Sequence, residues 1–258
     1  MATSNGFCAG DDTVLCTADS PDCDEVGGPC EFEDEDTESM TVDVALSGTL
    51  VNQPPAAAAG PDLTVECTSP AGATFTLQGT ATDPDPNIAL ISWREGTRIG
   101  PEVGQDLALT QTLGVGAAQT YVLRVIDAFA QADEDAASVA VVDTTPPELA
   151  VRVSPDRLRP PNHTLATINA TITATDTCDA TPTIRLVSIV SSEPDNGLGD
   201  GDQPNDVQGA AFGTDDRQFQ LRRERSGNGG GRVYTITYSA TDDSGNATIQ
   251  RASVTVPH

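Results

Sequence analysis

"RVYTITYSATDDSGNATIQRASVTV" (232–256) is two runs rich in Thr, Val, Ile and Tyr, separated by an acidic turn. Runs of that composition at strand spacing read as β-strands, and the Asp, Ser, Gly and Asn between them read as a turn. The closing "ATD" of the first run (240–242) occurs twice more, in "ATDPDPN" (81–87) and "ATDTCDATP" (174–182). Three strand-like runs therefore end on a carboxylate that opens into a turn.

Outward from this hairpin the same pattern fills the chain. Strands are expected over "ELAVRV" (148–153), "TLATINATITAT" (164–175), "TIRLVSIVSS" (183–192) and "RQFQLRR" (217–223). A similar set precedes them: "DLTVEC" (62–67), "ATFTLQGT" (73–80), "IALISW" (88–93), "DLALTQTL" (106–113), "TYVLRVID" (120–127) and "ASVAVV" (137–142). The prolines of "DTTPPEL" (143–149) mark a stiff connector between the sets. "NQPPAAAAGP" (52–61) reads as another break, after a single strand over 39–51. The expected architecture is all-β: two tandem immunoglobulin-like sandwiches over 54–143 and 144–258, preceded by a small disulfide-rich acidic segment with one strand over 1–53.

Composition bounds the function. The 258 residues carry 39 Asp+Glu against 13 basic residues, all of them Arg, for a formal charge of -26. Such a surface repels nucleic acid and anionic lipid and favours dissolved cations or cationic partners. No run of about 18 apolar residues is present to span a bilayer. "MATSNGF" lacks the basic start and apolar stretch of an export signal. Yet six Cys fit disulfides and an oxidising compartment, so the expected location is extracellular or cell-surface. Cys8, Cys16, Cys23 and Cys30 crowd an acidic segment with no His and no C-x2-C pair, which disfavours zinc and favours two disulfides among themselves.

Two stretches resemble known modules. "NQPPAAAAGPDLTVECTSPAGATFTLQGTATDPDPNIALISWREG" (52–96) looks like the start of a PKD-type repeat. "VVDTTPPELAV", "ATDTCDATP" and "ATDDSGNATIQRASVTV" resemble the hyalin repeat (HYR) and related bacterial immunoglobulin-like modules. The resemblance implies an extracellular, non-catalytic spacer, adhesion or binding module. Residues 144–258 hold a single Cys, Cys178, where a hyalin repeat usually holds two.

In a sandwich the second and sixth strands, B and F, finish at the same end. That places Asp176 and Asp242 together in the second module, with Asp179 and Asn246 in the adjoining loops and Asp143 in the incoming linker. Calcium takes six to eight oxygen ligands in irregular geometry, so these five residues are a candidate junctional calcium site. The competing reading is that Asp and Asn sit there because they make turns. Asp83, Asp85 and Asp127 form a weaker copy in the first module. Asp195, Asp200, Asp202 and Asp206, in the Gly-rich loop "EPDNGLGDGDQPND" (193–206), are a third candidate; a solvated loop is the alternative. Cys67 should lie at the far end of the first module and Cys178 at the near end of the next, so the expectation is an interdomain disulfide. Two buried free thiols are the alternative.

Catalytic signals are sparse. His163 sits in "RPPNHTL" without a GxSxG partner, and no H-E-x-x-H, phosphate loop or dinucleotide fingerprint is present. Trp93 falls on a core strand, and Arg222, Arg223, Arg225 and Arg232 read as a solvated Gly-rich hairpin. The leading expectation is a non-catalytic extracellular structural or adhesive segment, rigidified by calcium and disulfides, partnered by neighbouring domains or by copies of itself in fibres. An accessory module of a secreted hydrolase, binding polysaccharide or protein, is the alternative.

Overall fold

Strand alternation produces the architecture. In the second module β13 (Leu165–Thr175) points Ala166, Ile168, Ala170 and Ile172 inward and Thr167, Asn169, Thr171 and Thr173 outward. A strand turns successive side chains to opposite faces, so this pattern allows one side to be buried. It pairs with β12 (Glu148–Ser154) and β16 (Gln218–Arg222), and β16 pairs with the short β15 (Val207–Gln208). The facing sheet is β14 (Thr183–Ser191), β17 (Gly231–Thr241) and β18 (Ala247–Pro257). The opening hairpin is β17–β18, in continuous register from Gly231↔Pro257 to Thr241↔Ala247. A four-strand sheet over a three-strand sheet in this order is the immunoglobulin-like sandwich. Tyr234, Ile236 and Tyr238 meet Ile168, Leu186, Phe219 and Leu221 in its core. Each such side chain taken from water contributes about 1.5–3 kcal/mol.

The computed structural model describes residues 51–196, 203–228 and 230–258, with the backbone of one short pair, β1 (Gly6–Phe7) and β2 (Leu15–Cys16). The disulfides expected among Cys8, Cys16, Cys23 and Cys30, the strand over 39–51 apart from Val51, and Asp200 and Asp202 lie outside the described residues.

The first module is built alike. Strands β4 (Leu63–Glu66), β11 (Ala132–Val142), β10 (Ala118–Asp127), β7 (Ile88–Glu95) and β8 (Glu102–Gly104) form one sheet, with β4 parallel to β11. Facing it, β3 (Ala56–Ala58) pairs with β6 (Thr80–Thr82), and β5 (Ala73–Gln78) pairs with β9 (Ala108–Leu113). On the outer side of β5–β9, Thr74 and Thr76 bond hydroxyl to hydroxyl with Thr112 and Thr110 at 2.9 and 2.8 Å. Trp93 is fully buried, its indole N–H donating to the Asp106 carbonyl at 2.9 Å. Gly79, between β5 and β6, makes room for that ring: an added Cβ would stand 2.9 Å from the indole and 2.7 Å from Leu123.

The alanine run differs from its expected role as a break. Ala56–Ala58 is a strand, although its residues have little apolar surface. Two acids hold it: Ala57 N–H donates to Asp133 Oδ2 and Ala59 N–H to Asp135 Oδ2, both at 2.8 Å. Carboxylates spaced by two on β11 thus tie down amides spaced by two on the alanine segment, where no backbone ladder joins them. Among the described residues β8 and β15 are further strands absent from the sequence expectation.

Residues Val51–His258 form one compact unit. Within this unit the two cores stay separate, and a third small cluster of Cys67, Ala73, Val141 and Cys178 lies between them.

Candidate functional site

The junction between the sandwiches is covalent. Cys67 follows β4 and Cys178 lies in the loop after β13, with Cα atoms 6.0 Å apart, and a disulfide joins them across a separation of 111 residues. Both are buried, at 5% and 8% exposure. The Cys67 N–H donates to the Val142 carbonyl at 2.8 Å, so β4 and β11 carry the cysteine to the end of the first sandwich. Below it Glu66 grips the linker, its carboxylate accepting from Thr144 N–H at 2.7 Å and from the hydroxyls of Thr144 and Thr145. The Thr144 N–H holds the Glu66 carboxyl below its usual range, against a smaller opposing push from burial.

The expected junctional ligands do converge on this end, but each has protein partners. Asp176 Oδ1 accepts from the N–H groups of Cys178 and Asp179, at 2.7 and 2.9 Å. Asp179 accepts from Thr181 N–H and, across to the β17–β18 turn, from Asp243 N–H. Asp242 accepts from Asn246 through both backbone and side-chain amide, at 2.8 and 2.9 Å. The Asn246 amide also donates to the Asp143 carbonyl at 3.0 Å, tying turn to linker. Among the described residues the one trio of potential metal-ligating atoms within 4.8 Å of each other is Cys67, Asp143 and Cys178, and its two sulfurs are already bonded together. The arrangement does what turn-making carboxylates do, and fixes the loops around the disulfide.

That trio has a chemical consequence. Thiol–disulfide exchange needs an anionic thiolate to approach one sulfur while a second thiolate leaves. The Asp143 carboxylate within 4.8 Å of both sulfurs opposes each. Asp143→Asn is expected to speed reduction by a thiol roughly three- to tenfold at low ionic strength, and by much less near 1 M salt. Timed thiol release during reduction checks this; an unchanged rate contradicts it.

The far end of the first sandwich carries the weaker copy. Asp83 Oδ1 accepts from Asp85 N–H at 2.7 Å, and Asp85 Oδ2 from Gln53 N–H at 2.6 Å. Asp127, buried at the end of β10, accepts from Phe129 N–H, Gln131 N–H and the Asn52 amide. Burial pushes the Asp127 carboxyl up, but these hydrogen bonds outweigh it and hold it below the usual range. A carboxyl depressed in this way stabilises the fold above its unfolded value of about 4 and loses that contribution as pH falls through its lowered value. Two oxygens here, Asp83 Oδ2 and Asn87 Oδ1, are shielded from solvent and have no hydrogen-bond partner. The two ends share a plan: an Asp ending the second strand bonds its own loop, and an Asp ending the sixth bonds the amide four residues on.

The acidic loop of the second sandwich behaves differently. Asp195 accepts from Asn205 and Asp206 N–H groups, at 3.0 and 2.7 Å. Asp206 is buried against Arg232, which is buried too, and Arg222 Nε lies 3.4 Å from Asp206 Oδ1 without hydrogen-bond geometry. Arg232 also reaches Glu193 at 3.2 Å, the Pro194 carbonyl and the Tyr234 hydroxyl. Arg232 is therefore not part of a solvated hairpin: it points inward from β17 and its charge is met by Asp206 and Glu193. Nothing in the local sequence signals this, because Arg232 and Asp206 are 26 residues apart. His163 has a structural place, its Nδ1 lying 2.9 Å from buried Glu224.

No family model matches the chain, and no curated protein matches it in sequence. Among solved structures it is similar to Sidekick-1 immunoglobulin domains 1–4, at 13% identity over 82% of this chain and 51% of that one, TM-score 0.35. It is also similar to protocadherin Gamma B2 extracellular cadherin domains 3–6, at 14% identity over 79% and 47%, TM-score 0.31. The fibronectin(III)-like modules of Clostridium thermocellum CbhA match at 13% identity over 76% and 90%, TM-score 0.27. The chain spans about half the length of the Sidekick-1 and protocadherin structures. At such TM-scores the sandwich assignment rests on strand order and register in this chain.

Proposed function

We propose that this chain is a non-catalytic structural or adhesive segment of an extracellular or surface protein, in which a PKD-like sandwich (54–143) and an HYR-like sandwich (144–258) follow the acidic cysteine-rich segment (1–53). The observation that carries this reading is the buried Cys67–Cys178 disulfide between two cores, with Asp176, Asp179 and Asp242 fixing the loops around it. A disulfide between sandwiches fits an oxidising compartment and a part whose task is to hold two modules in one arrangement. The alternative, a polysaccharide-binding accessory module, loses its tryptophan platform because Trp93 is buried.

Calcium belongs to the proposal, and the first sandwich's far end supports it better than the junction does. There Asp83, Asp85 and Asp127 supply carboxylates, and Asn52 and Asn87 supply amide oxygens. The unpartnered Asp83 Oδ2 and Asn87 Oδ1 suit a hard cation. Titration calorimetry is expected to show calcium binding with a dissociation constant of about 10⁻⁴–10⁻³ M. Asp83→Asn should abolish it while leaving the Asp85 N–H bond to Oδ1 in place. Absence of calcium heat, with no change in melting temperature on adding EDTA, contradicts the calcium proposal.

A further inference from the structure

The position of the Cys67–Cys178 bond along the chain matters as much as its position in space. Cys67 comes just after β4, before the remaining strands of the first sandwich; Cys178 comes just after β13, the second strand of the next. Force applied to the two ends of a chain follows the shortest covalent path. Here that path runs from the N-terminal side to Cys67, across the sulfur–sulfur bond to Cys178, and on toward His258. Residues 68–177 lie off it. They include β5 to β11, the proline connector, β12 and β13. What lies on the path is β1 to β4 and β14 to β18.

We propose that the disulfide is a tension bypass: when the ends of this chain are pulled, the first sandwich keeps β5–β11 unloaded while the second sandwich yields. The yielding part holds the whole β14–β17–β18 sheet, so stretching removes one layer of the second sandwich. In the first sandwich tension can peel away β3 and β4, but it cannot separate β10 from β7 or β11, or β5 from β9. The acidic far end formed by Asp83, Asp85 and Asp127, with exposed Phe129 on the neighbouring loop, is attached to the shielded strands. A contact made there through Asp83, Asp85, Asp127 or Phe129 stays on unloaded strands during extension, whereas the partners Asn52 and Gln53 lie on the loaded path. The inference rests on the spacer reading in one respect, that the chain is pulled from its ends. The bypass itself follows from the bond and the strand order.

Single-molecule pulling of the full chain, by handles at both termini, tests this. The 111-residue separation of the two cysteines corresponds to roughly 400 Å of extended chain. Wild-type protein without reductant should extend short of full length by that amount, and Cys67→Ala/Cys178→Ala should recover it. Wild type held at constant force with a phosphine reductant gives a second measurement that does not depend on how the variant folds. After the second sandwich has opened, reduction of the bond should load β5–β11 and add, as they rupture, roughly 400 Å of length. Pairs among the four N-terminal cysteines lie within the 23 residues from Cys8 to Cys30 and give far smaller steps. Full extension without reductant, or no gain of that length with it, overturns the bypass. A chain shown to have another function would still give the long gain, so the two failures are distinguishable.

Discussion

Arg232→Ala is expected to destabilise the second sandwich by about 3–5 kcal/mol, the cost of leaving one partner of a buried ion pair alone. Arg232 is 2% exposed and Asp206 1% exposed, so neither charge can turn to water when the other is removed. Arg222 is a poor substitute, standing 3.4 Å from Asp206 without hydrogen-bond geometry. Glu193 loses its contact as well, and with it a tie between the start of the acidic loop and β17. Urea unfolding checks the size of the effect. Arg232→Met with Asp206→Leu should recover much of the loss, because apolar replacement removes both desolvated charges together. A single-variant loss under about 1 kcal/mol would mean that the pair is solvated, as exposed pairs of that strength are.

Removing the disulfide should have an effect of similar size by a different route. Closing a loop of 111 residues restricts the unfolded chain, and the chain-entropy model assigns this about 5 kcal/mol. For a unit of about 200 residues that corresponds to a fall in melting temperature of roughly 10 °C. Cys67→Ala/Cys178→Ala should also separate the melting of the two sandwiches. The cores share no buried side chain, and the small cluster between them contains both cysteines. Calorimetry is expected to show one transition for wild type and two for the variant. A single unshifted transition in the variant would contradict the coupling.

The residues that were legible in the sequence are those whose role is local. Alternation exposed β13 and β17 because every second side chain there is buried, and Ala-Thr-Asp marked strand ends because Asp bonds to its own turn. The Cys67–Cys178 pairing could be argued because sandwich topology dictates which strand ends share a pole. The alanine strand was not legible. It is held by the β6 ladder on one side and on the other by Asp133 and Asp135, about 76 residues away in sequence, and nothing in "AAAA" records that. Arg232 was hidden for the same reason. A Gly-rich, Arg-rich stretch signals solvent until a buried carboxylate from a distant loop is placed against it. The acidic loop shows the same limit from its other side, since the Arg232 guanidinium that meets the Asp206 charge is 26 residues away in sequence.

One disulfide locks the two sandwiches together, and peptide mapping of the full chain under non-reducing conditions reads that bond without altering the protein. Cleavage after Glu and Arg frees Cys67 from the four N-terminal cysteines, since Glu66 precedes it and Glu38 follows Cys30. The expected result is one cross-linked pair containing Cys67 and Cys178, lighter by two hydrogens than the separate peptides. Free thiols at those positions, or Cys67 joined to Cys8, Cys16, Cys23 or Cys30, would contradict it.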